Sequence, residues 1–90
     1  MKKPVYSIRD ARIGFMTPIL EENDASAIRG FQNAVIAGEG YFARFANEYD
    51  LYRVGEFDSE SGQFENQIPD LLCSGASVSV AHVGVGDSNG

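Results

Sequence analysis

Polar and apolar residues alternate in the first part of the chain in the pattern of a β-strand. The β-branched and aromatic residues of this segment are Val5, Tyr6, Ile8, Ile13 and Phe15, with polar residues between them. Such side chains favour the half-buried surface of a pleated strand. The pattern therefore predicts a strand over residues 4–15. It slips at Asp10-Ala11, which indicates a kink or bulge, and Pro18 lies beyond the strand because proline cannot donate a ladder hydrogen bond.

Residues 24–37 carry the most regular pattern, which is helical. The apolar stripe consists of Ala27, Ile28, Phe31, Ala34 and Val35, which recur at helical spacing. At its start, the side chains of Asn23 and Asp24 can accept hydrogen bonds from the free N–H groups of a first turn. Gly38 follows the last periodic residue and is a suitable C-terminal cap. The spacing predicts one long helix with one buried side.

The second half of the chain predicts a hairpin. A strand at 51–57 is followed by the turn-forming residues 58–62, and a returning strand at 63–67 is broken at Ile68-Pro69-Asp70. Residues 40–49 are rich in aromatic side chains but have no clear period, which indicates a loop or a short helical turn over the core edge. Weak alternation at 76–83 indicates a last edge strand.

This order of elements predicts an α+β fold with one helix packed on a small mixed β-sheet of three to four strands. A strand–helix–strand crossover lets the first two strands run parallel, and the hairpin that follows is antiparallel. The domain is expected to span residues 1–83, with a flexible glycine-rich tail at 84–90. One helix covers one face of a sheet, so we also predict a homodimer that buries the other face.

Charge is distributed unevenly along the 90 residues, whose net charge is −6. Residues 1–17 have a net charge of +3, and the remaining residues have a net charge of −9. An acidic chain does not have the overall basic surface of most nucleic-acid-binding proteins. Any phosphate contact is therefore expected in the basic amino-terminal segment, while the acidic remainder suits a basic protein.

Catalytic and cofactor-binding patterns are not evident. His82 is the single histidine and has no partners at metal-ligand spacing, and no phosphate-binding glycine motif occurs. The acidic run 58–62 resembles the start of a calcium loop, but Pro69 occupies the position of the bidentate glutamate. Cys73 is the single cysteine, which excludes an internal disulfide and predicts a small buried hydrophobe. We expect a non-catalytic protein without a metal or cofactor.

Membrane insertion is not expected either. No apolar run approaches the roughly 18–20 residues that a spanning helix needs. The charged residues of segment 6–10 interrupt the position where a signal peptide has its apolar region. The sequence therefore predicts a soluble, cytosolic protein.

A set of basic and aromatic residues in or beside the predicted strands is the remaining candidate site. Proteins that bind single-stranded nucleic acid hold the backbone with cations and stack the bases on aromatic rings. The candidate nucleic-acid-binding residues are Lys2, Lys3, Arg9, Arg12, Arg53, Tyr6 and Tyr52. For the two tyrosines, a place in the hydrophobic core is the alternative.

Three segments of the chain carry a family resemblance. They are VYSIRD with GFMTP after it, NDASAIR leading to Phe31, and YDLYRVGEFD closing at Gly62. In this order and spacing they resemble the nonstructural protein family of gokushovirus-type microviruses, which are small single-stranded DNA phages. The resemblance implies a protein of the host cytoplasm that is absent from the mature virion and acts in single-stranded DNA synthesis or its switch towards packaging. It carries over no catalytic residue.

Two functions follow as hypotheses. The first is a single-stranded DNA-binding accessory of viral genome replication or of the packaging switch. The alternative is an acidic protein–protein interaction module that binds a phage replication, scaffold or assembly protein, or a host factor.

Overall fold

The computed structural model describes residues 1–37 and 45–78, which form five β-strands and one long helix. In chain order these are β1 (Lys2–Asp10), β2 (Gly14–Phe15), β3 (Ile19–Leu20), α1 (Asp24–Ala37), β4 (Tyr49–Asp58) and β5 (Phe64–Ser74). A short 3-10 helix, Ala46–Glu48, leads into β4, and residues 75–78 are helical. The predicted α+β class, with one helix on a small sheet, is confirmed.

The sheet is antiparallel at every described strand pair, in the order β2–β1–β4–β5, with β3 also pairing with β1. The expected mixed sheet, with parallel first and second long strands, is therefore wrong. Strand β3 runs back along β1, so the chain returns to the middle of β1 before α1 begins. The helix then carries it to the end of β1, where Tyr49 pairs with Asp10 and β4 starts in the opposite direction.

The first predicted strand also divides in two. The chain reverses at residues 10–14, where Ile13 N–H donates to the Asp10 carbonyl at 3.2 Å and Gly14 adopts a φ of 106°. Phe15 then pairs with Arg9. The slip in the alternation at Asp10-Ala11 thus marks a tight turn instead of a kink within one strand, because the backbone at Gly14 suits a residue without a Cβ.

The hydrophobic core lies between α1 and one face of the sheet. Buried Ala27, Phe31 and Val35 of the helix belong to one cluster with Tyr6 and Leu51 of the central strands. Tyr6 and Leu51 are the largest fully buried side chains. The predicted helical stripe is confirmed as the side of α1 that packs on the sheet, while Gly38 lies outside the described residues.

The amide of the residue before α1 caps the helix. Ser26 N–H donates to Asn23 Oδ1 at 2.9 Å, and Ala27 N–H donates to the Asn23 carbonyl at 3.1 Å. This satisfies two of the N–H groups that the first turn leaves without a helical partner. The carboxylate of Asp24 is left available for contacts with the sheet.

The hairpin between β4 and β5 turns at the predicted acidic run. Gly62 has a φ of 75°, and its N–H donates to the Asp58 carbonyl at 2.8 Å. Strand β5 continues to Ser74, so the break expected at Pro69 is wrong. The register moves from Gly55↔Asn66 to Arg53↔Asp70, which leaves residues 67–69 in a bulge. An edge strand tolerates proline at such a bulge.

The predicted last strand at 76–83 is wrong where the structure describes it, because residues 75–78 are helical. Ser74 Oγ accepts the N–H of Ser77 at 3.1 Å, which is the geometry of a helix N-cap. Residues 79–83, including His82, lie outside the described residues, as do the predicted tail 84–90 and residues 40–44 of the predicted loop. The homodimer stays a prediction, and a dimer through the sheet face that α1 leaves uncovered would make that face unavailable to any other partner.

Truncation of Phe31 should destabilise the domain strongly, because this side chain is 3% exposed at the centre of the core. Phe31→Ala is expected to lower the free energy of unfolding by about 3–5 kcal/mol. Ile36→Ala is the matched control on the same helix, since Ile36 is 46% exposed. Urea denaturation followed by circular dichroism measures both, and equal midpoints for the two variants would contradict this core assignment.

Candidate nucleic-acid interface

The strand register assigns the candidate residues to two faces of the sheet, because residues directly opposite each other point to the same side. Tyr6 lies opposite Arg53 on the face that α1 covers. Ser7 lies opposite Tyr52, and Tyr52 lies opposite Leu71, on the other side. We call this other side the open face; it consists of Ser7, Arg9, Phe15, Asp50, Tyr52 and Leu71.

An aromatic pair forms the centre of the open face. The rings of Phe15 and Tyr52 meet edge to face, with centroids 5.3 Å apart and an angle of 72° between their planes. Phe15 is 48% exposed, and Tyr52 is half-buried. Beside them, the buried Ser7 hydroxyl donates to the Met16 carbonyl at 2.6 Å, which holds the segment after β2 against β1. The result is a small aromatic surface on paired strands.

Arg9 lies next to this aromatic pair. It is half-buried and pairs across the ladder with Phe15 on one side and Asp50 on the other. Its guanidinium forms no ion pair with another described residue. Arg9 and Tyr52 are therefore the two predicted site residues that the fold brings together on an exposed face.

The other candidate cations each contact a carboxylate. The pairs are Lys2–Glu65 at 2.9 Å, Lys3–Glu22 at 2.9 Å, Arg12–Glu48 at 3.1 Å, and Arg53 with Asp24 at 3.1 Å and Glu56 at 3.4 Å. Glu65 raises the pKa of Lys2 by its hydrogen bond and its charge. The exposed pairs of Lys2 and Lys3 contribute little stability. Together, the ion pairs of Lys2, Lys3 and Arg12 neutralise most of the positive charge that the amino-terminal segment carries in the sequence.

Tyr6 belongs to the core, and no base can stack on its fully buried ring. Its hydroxyl donates to Asp24 Oδ1 at 2.6 Å, and the same oxygen accepts a hydrogen bond from Arg53 at 3.1 Å. Burial, and then the hydrogen bond to Asp24, raise the pKa of Tyr6. Tyr6 and Arg53 thus connect the start of α1 to the sheet and lie on the face opposite Arg9 and Tyr52.

Phe15 and Leu71 are open-face residues that were not among the predicted site residues. The strand chemistry of Phe15 is visible in the sequence, but its contact with Tyr52 depends on the reversal at residues 10–14. Asp10 and Gly14 are the residues that could have indicated this turn, since Asp10 Oδ1 accepts the N–H of Arg12 at 2.8 Å. Leu71 lies opposite Tyr52 because the register of β5 shifts a second time, between Leu51↔Cys73 and Tyr52↔Leu71, where Leu72 is the extra residue.

Cys73 is half-buried instead of fully buried as predicted, and it packs against the core beside Leu51. Burial raises the pKa of its thiol, so the neutral form is favoured. Within residues 1–37 and 45–78, no group of three or more histidine, cysteine or acidic side chains is arranged to hold a metal ion. None of the helices described is long and apolar enough to cross a membrane.

The fold and this site define a small α+β protein that has one helix-covered and one partly exposed sheet face. A family model described as Phage ORF5 protein matches residues 3–78. The match includes α1 and all the strands except Lys2, the first residue of β1, and the chain belongs to the Phage ORF5 protein family. It is therefore a bacteriophage protein, and the narrower resemblance to gokushovirus-type microviruses stays a prediction. No curated protein and no solved structure matches the chain.

Removal of the Tyr6 hydroxyl should change both stability and its dependence on pH. Tyr6→Phe loses a hydrogen bond to a carboxylate, which is expected to cost about 1.5–3 kcal/mol at neutral pH. The pKa of Tyr6 is higher in the folded than in the unfolded protein, so protonated Tyr6 contributes to the free energy of unfolding. This contribution is complete below about pH 10, the pKa of an unfolded tyrosine, and is lost as the pH rises further.

The measurement is the free energy of unfolding of wild type and variant from pH 7 to alkaline pH. The wild-type value should fall more steeply above pH 10 than that of Tyr6→Phe. Tyr52→Phe is the control, because it removes a hydroxyl from the opposite face and should keep the steep fall. Parallel pH profiles for wild type and Tyr6→Phe would contradict the coupling.

Proposed function

We propose that this phage protein is a non-catalytic, nonstructural accessory of viral genome replication or of the packaging switch, and that it binds single-stranded DNA in the host cytoplasm. The observation that supports this function is the position of Arg9 beside the Phe15–Tyr52 ring pair on the open face. Membership of a phage family is consistent with such a role.

The chemistry of the open face suits a single strand. Exposed rings offer a stacking surface to any base, and an arginine beside them can contact the backbone phosphate. Strand β1 is held at this point by pairing with β2 on one side and β4 on the other. A duplex keeps its bases stacked inside, so a stacking surface of this size favours an unpaired strand.

The charges set the expected strength of binding. Four of the candidate cations are paired with carboxylates, and the open face contributes Arg9. Each neutralised phosphate of a single strand changes the slope of log K against log salt by about −0.7. With Arg9 as the one contact counted, the slope should be shallow, about −0.7, and the affinity modest.

Loss of the exposed ring should weaken binding to a fluorescent oligo-dT at low salt. Phe15→Ala is expected to cost about 1–3 kcal/mol of binding free energy, the usual contribution of a stacked base. Arg9→Gln should make the salt slope shallower by about 0.7, because one phosphate contact is lost. Fluorescence anisotropy over a salt series measures both effects, and the melting temperature shows that each variant is folded.

Arg29→Gln is the matched control, since Arg29 is exposed on α1, away from the open face. It removes the same charge and should leave the salt slope unchanged. An unaltered oligo-dT anisotropy with wild type at low salt would overturn the DNA-binding function. Equal effects of Arg9→Gln and Arg29→Gln would show that the open face is not the site.

An acidic interaction module is the second candidate, and the charge of the β4–β5 hairpin favours it. Residues 49–74 contain six carboxylates and one arginine, a net charge of −5. This surface would attract a basic region of a phage replication, scaffold or assembly protein, or of a host factor. Tagged protein purified from infected cells after nuclease treatment should retain a basic partner that salt removes. A complex that nuclease treatment abolishes would favour DNA binding instead.

A further inference from the structure

Strand β5 is the edge of the sheet, and in the described part of the chain only β4 pairs with it. Its residues 64–71 are exposed, with Phe64 at 63% and Ile68 at 89%. An edge strand presents unpaired N–H and C=O groups to which another extended chain can bond.

The hairpin hydrogen bonds identify the groups that point outward. Asp58 N–H donates to the Gln63 carbonyl at 2.9 Å, so the main-chain groups of Gln63 face β4. Main-chain groups alternate in direction along an antiparallel strand. Those of Phe64 and Asn66 therefore point away from β4, and those of Glu65 point towards it. The close contact of the Phe57 and Phe64 rings, 4.8 Å between centroids, fits a pair of residues that exchange no ladder bond.

The bulge at residues 67–69 limits how much of the edge can accept another strand. It displaces the chain opposite Val54, and Pro69 has no N–H to donate. A long, flat strand therefore cannot pair along all of β5. Residues 64–66 form a short regular stretch before the bulge, with an exposed phenylalanine side chain for additional contact.

The charge of the hairpin distinguishes two possible binding partners of this edge, a second copy of the chain and a basic segment of another protein. The β4–β5 hairpin has a net charge of −5, or −4 when Lys2, which pairs with Glu65, is counted with it, and a second copy pairing through the same edge would bring the same charge again. Like charges across strands are unfavourable, whereas lysine or arginine side chains of a partner strand would be attracted. We propose that the outer edge of β5 at residues 64–66 binds an extended, basic segment of a partner protein by strand addition.

This inference rests on the acidic interaction module as the function, and it adds the site and the mode of binding. The probe is a short fluorescent peptide of alternating lysine and valine, titrated against the full chain at low salt. Asn66→Pro removes an outward N–H that makes no bond to β4, and Asn66→Ala keeps that N–H while removing the side chain. We expect Asn66→Pro to bind about tenfold more weakly than wild type, as for one lost hydrogen bond, and Asn66→Ala to bind as wild type does.

A second probe keeps the test independent of the folding of the proline variant. The same peptide with every backbone amide N-methylated has the same charge but cannot donate to a strand edge, so it should bind wild type about tenfold more weakly or worse. Circular dichroism and melting temperature establish whether Asn66→Pro is folded.

The possible results distinguish a failure of strand addition from a failure of the acidic interaction module as the function. Equal binding of the peptide by wild type and a folded Asn66→Pro, with unchanged binding of the methylated peptide, would overturn strand addition and leave an acidic interaction surface. Absence of any binding of the basic peptide to wild type would overturn both. Light scattering that shows a wild-type dimer and an Asn66→Pro monomer would identify a second copy as the occupant and overturn the basic partner.

Discussion

The Asp24 carboxylate organises the arrangement of helix and sheet. One of its oxygens accepts hydrogen bonds from Tyr6 of β1 and Arg53 of β4. The first residue of α1 is therefore hydrogen-bonded to both central strands. The Tyr6 ring is fully buried, and its hydroxyl needs a partner there because an unsatisfied buried polar group is costly. Together with the packing of Ala27, Phe31 and Val35, this contact holds α1 on the face of the sheet that carries Tyr6 and leaves the other face open.

The two faces of the sheet and its outer edge differ in which charged side chains they carry and in whether those side chains form ion pairs. On the helix-covered side, Arg53 forms ion pairs with Asp24 and Glu56. On the open face, Arg9 lies beside the exposed Phe15 ring and the half-buried Tyr52 ring. Strand β5, at the outer edge, has two carboxylates, Glu65 and Asp70, and no cation of its own. A nucleic-acid strand and a basic protein segment would therefore meet separate surfaces, which allows the two proposed modes of binding to be tested with different variants.

The ion pairs explain how an amino-terminal segment with a net charge of +3 presents so little positive surface. Antiparallel pairing of β1 with the hairpin brings Lys2 to Glu65, and the return through β3 brings Lys3 to Glu22. Each pair contributes little to stability on its own. Their effect is on recognition, because paired cations must be separated from their carboxylates before they can bind phosphate.

Local patterns in the sequence by themselves determined α1 with its buried stripe, the turn at Asp58–Gly62 and the phage family resemblance. Helical period, capping and turn chemistry act over a few residues, so they can be read without knowing the fold. Strand direction, the burial of Tyr6 and the meeting of Arg9 with Phe15 and Tyr52 were decided by the tertiary structure. These features depend on register between strands far apart in the chain, and a shift of one residue would move each side chain to the other face.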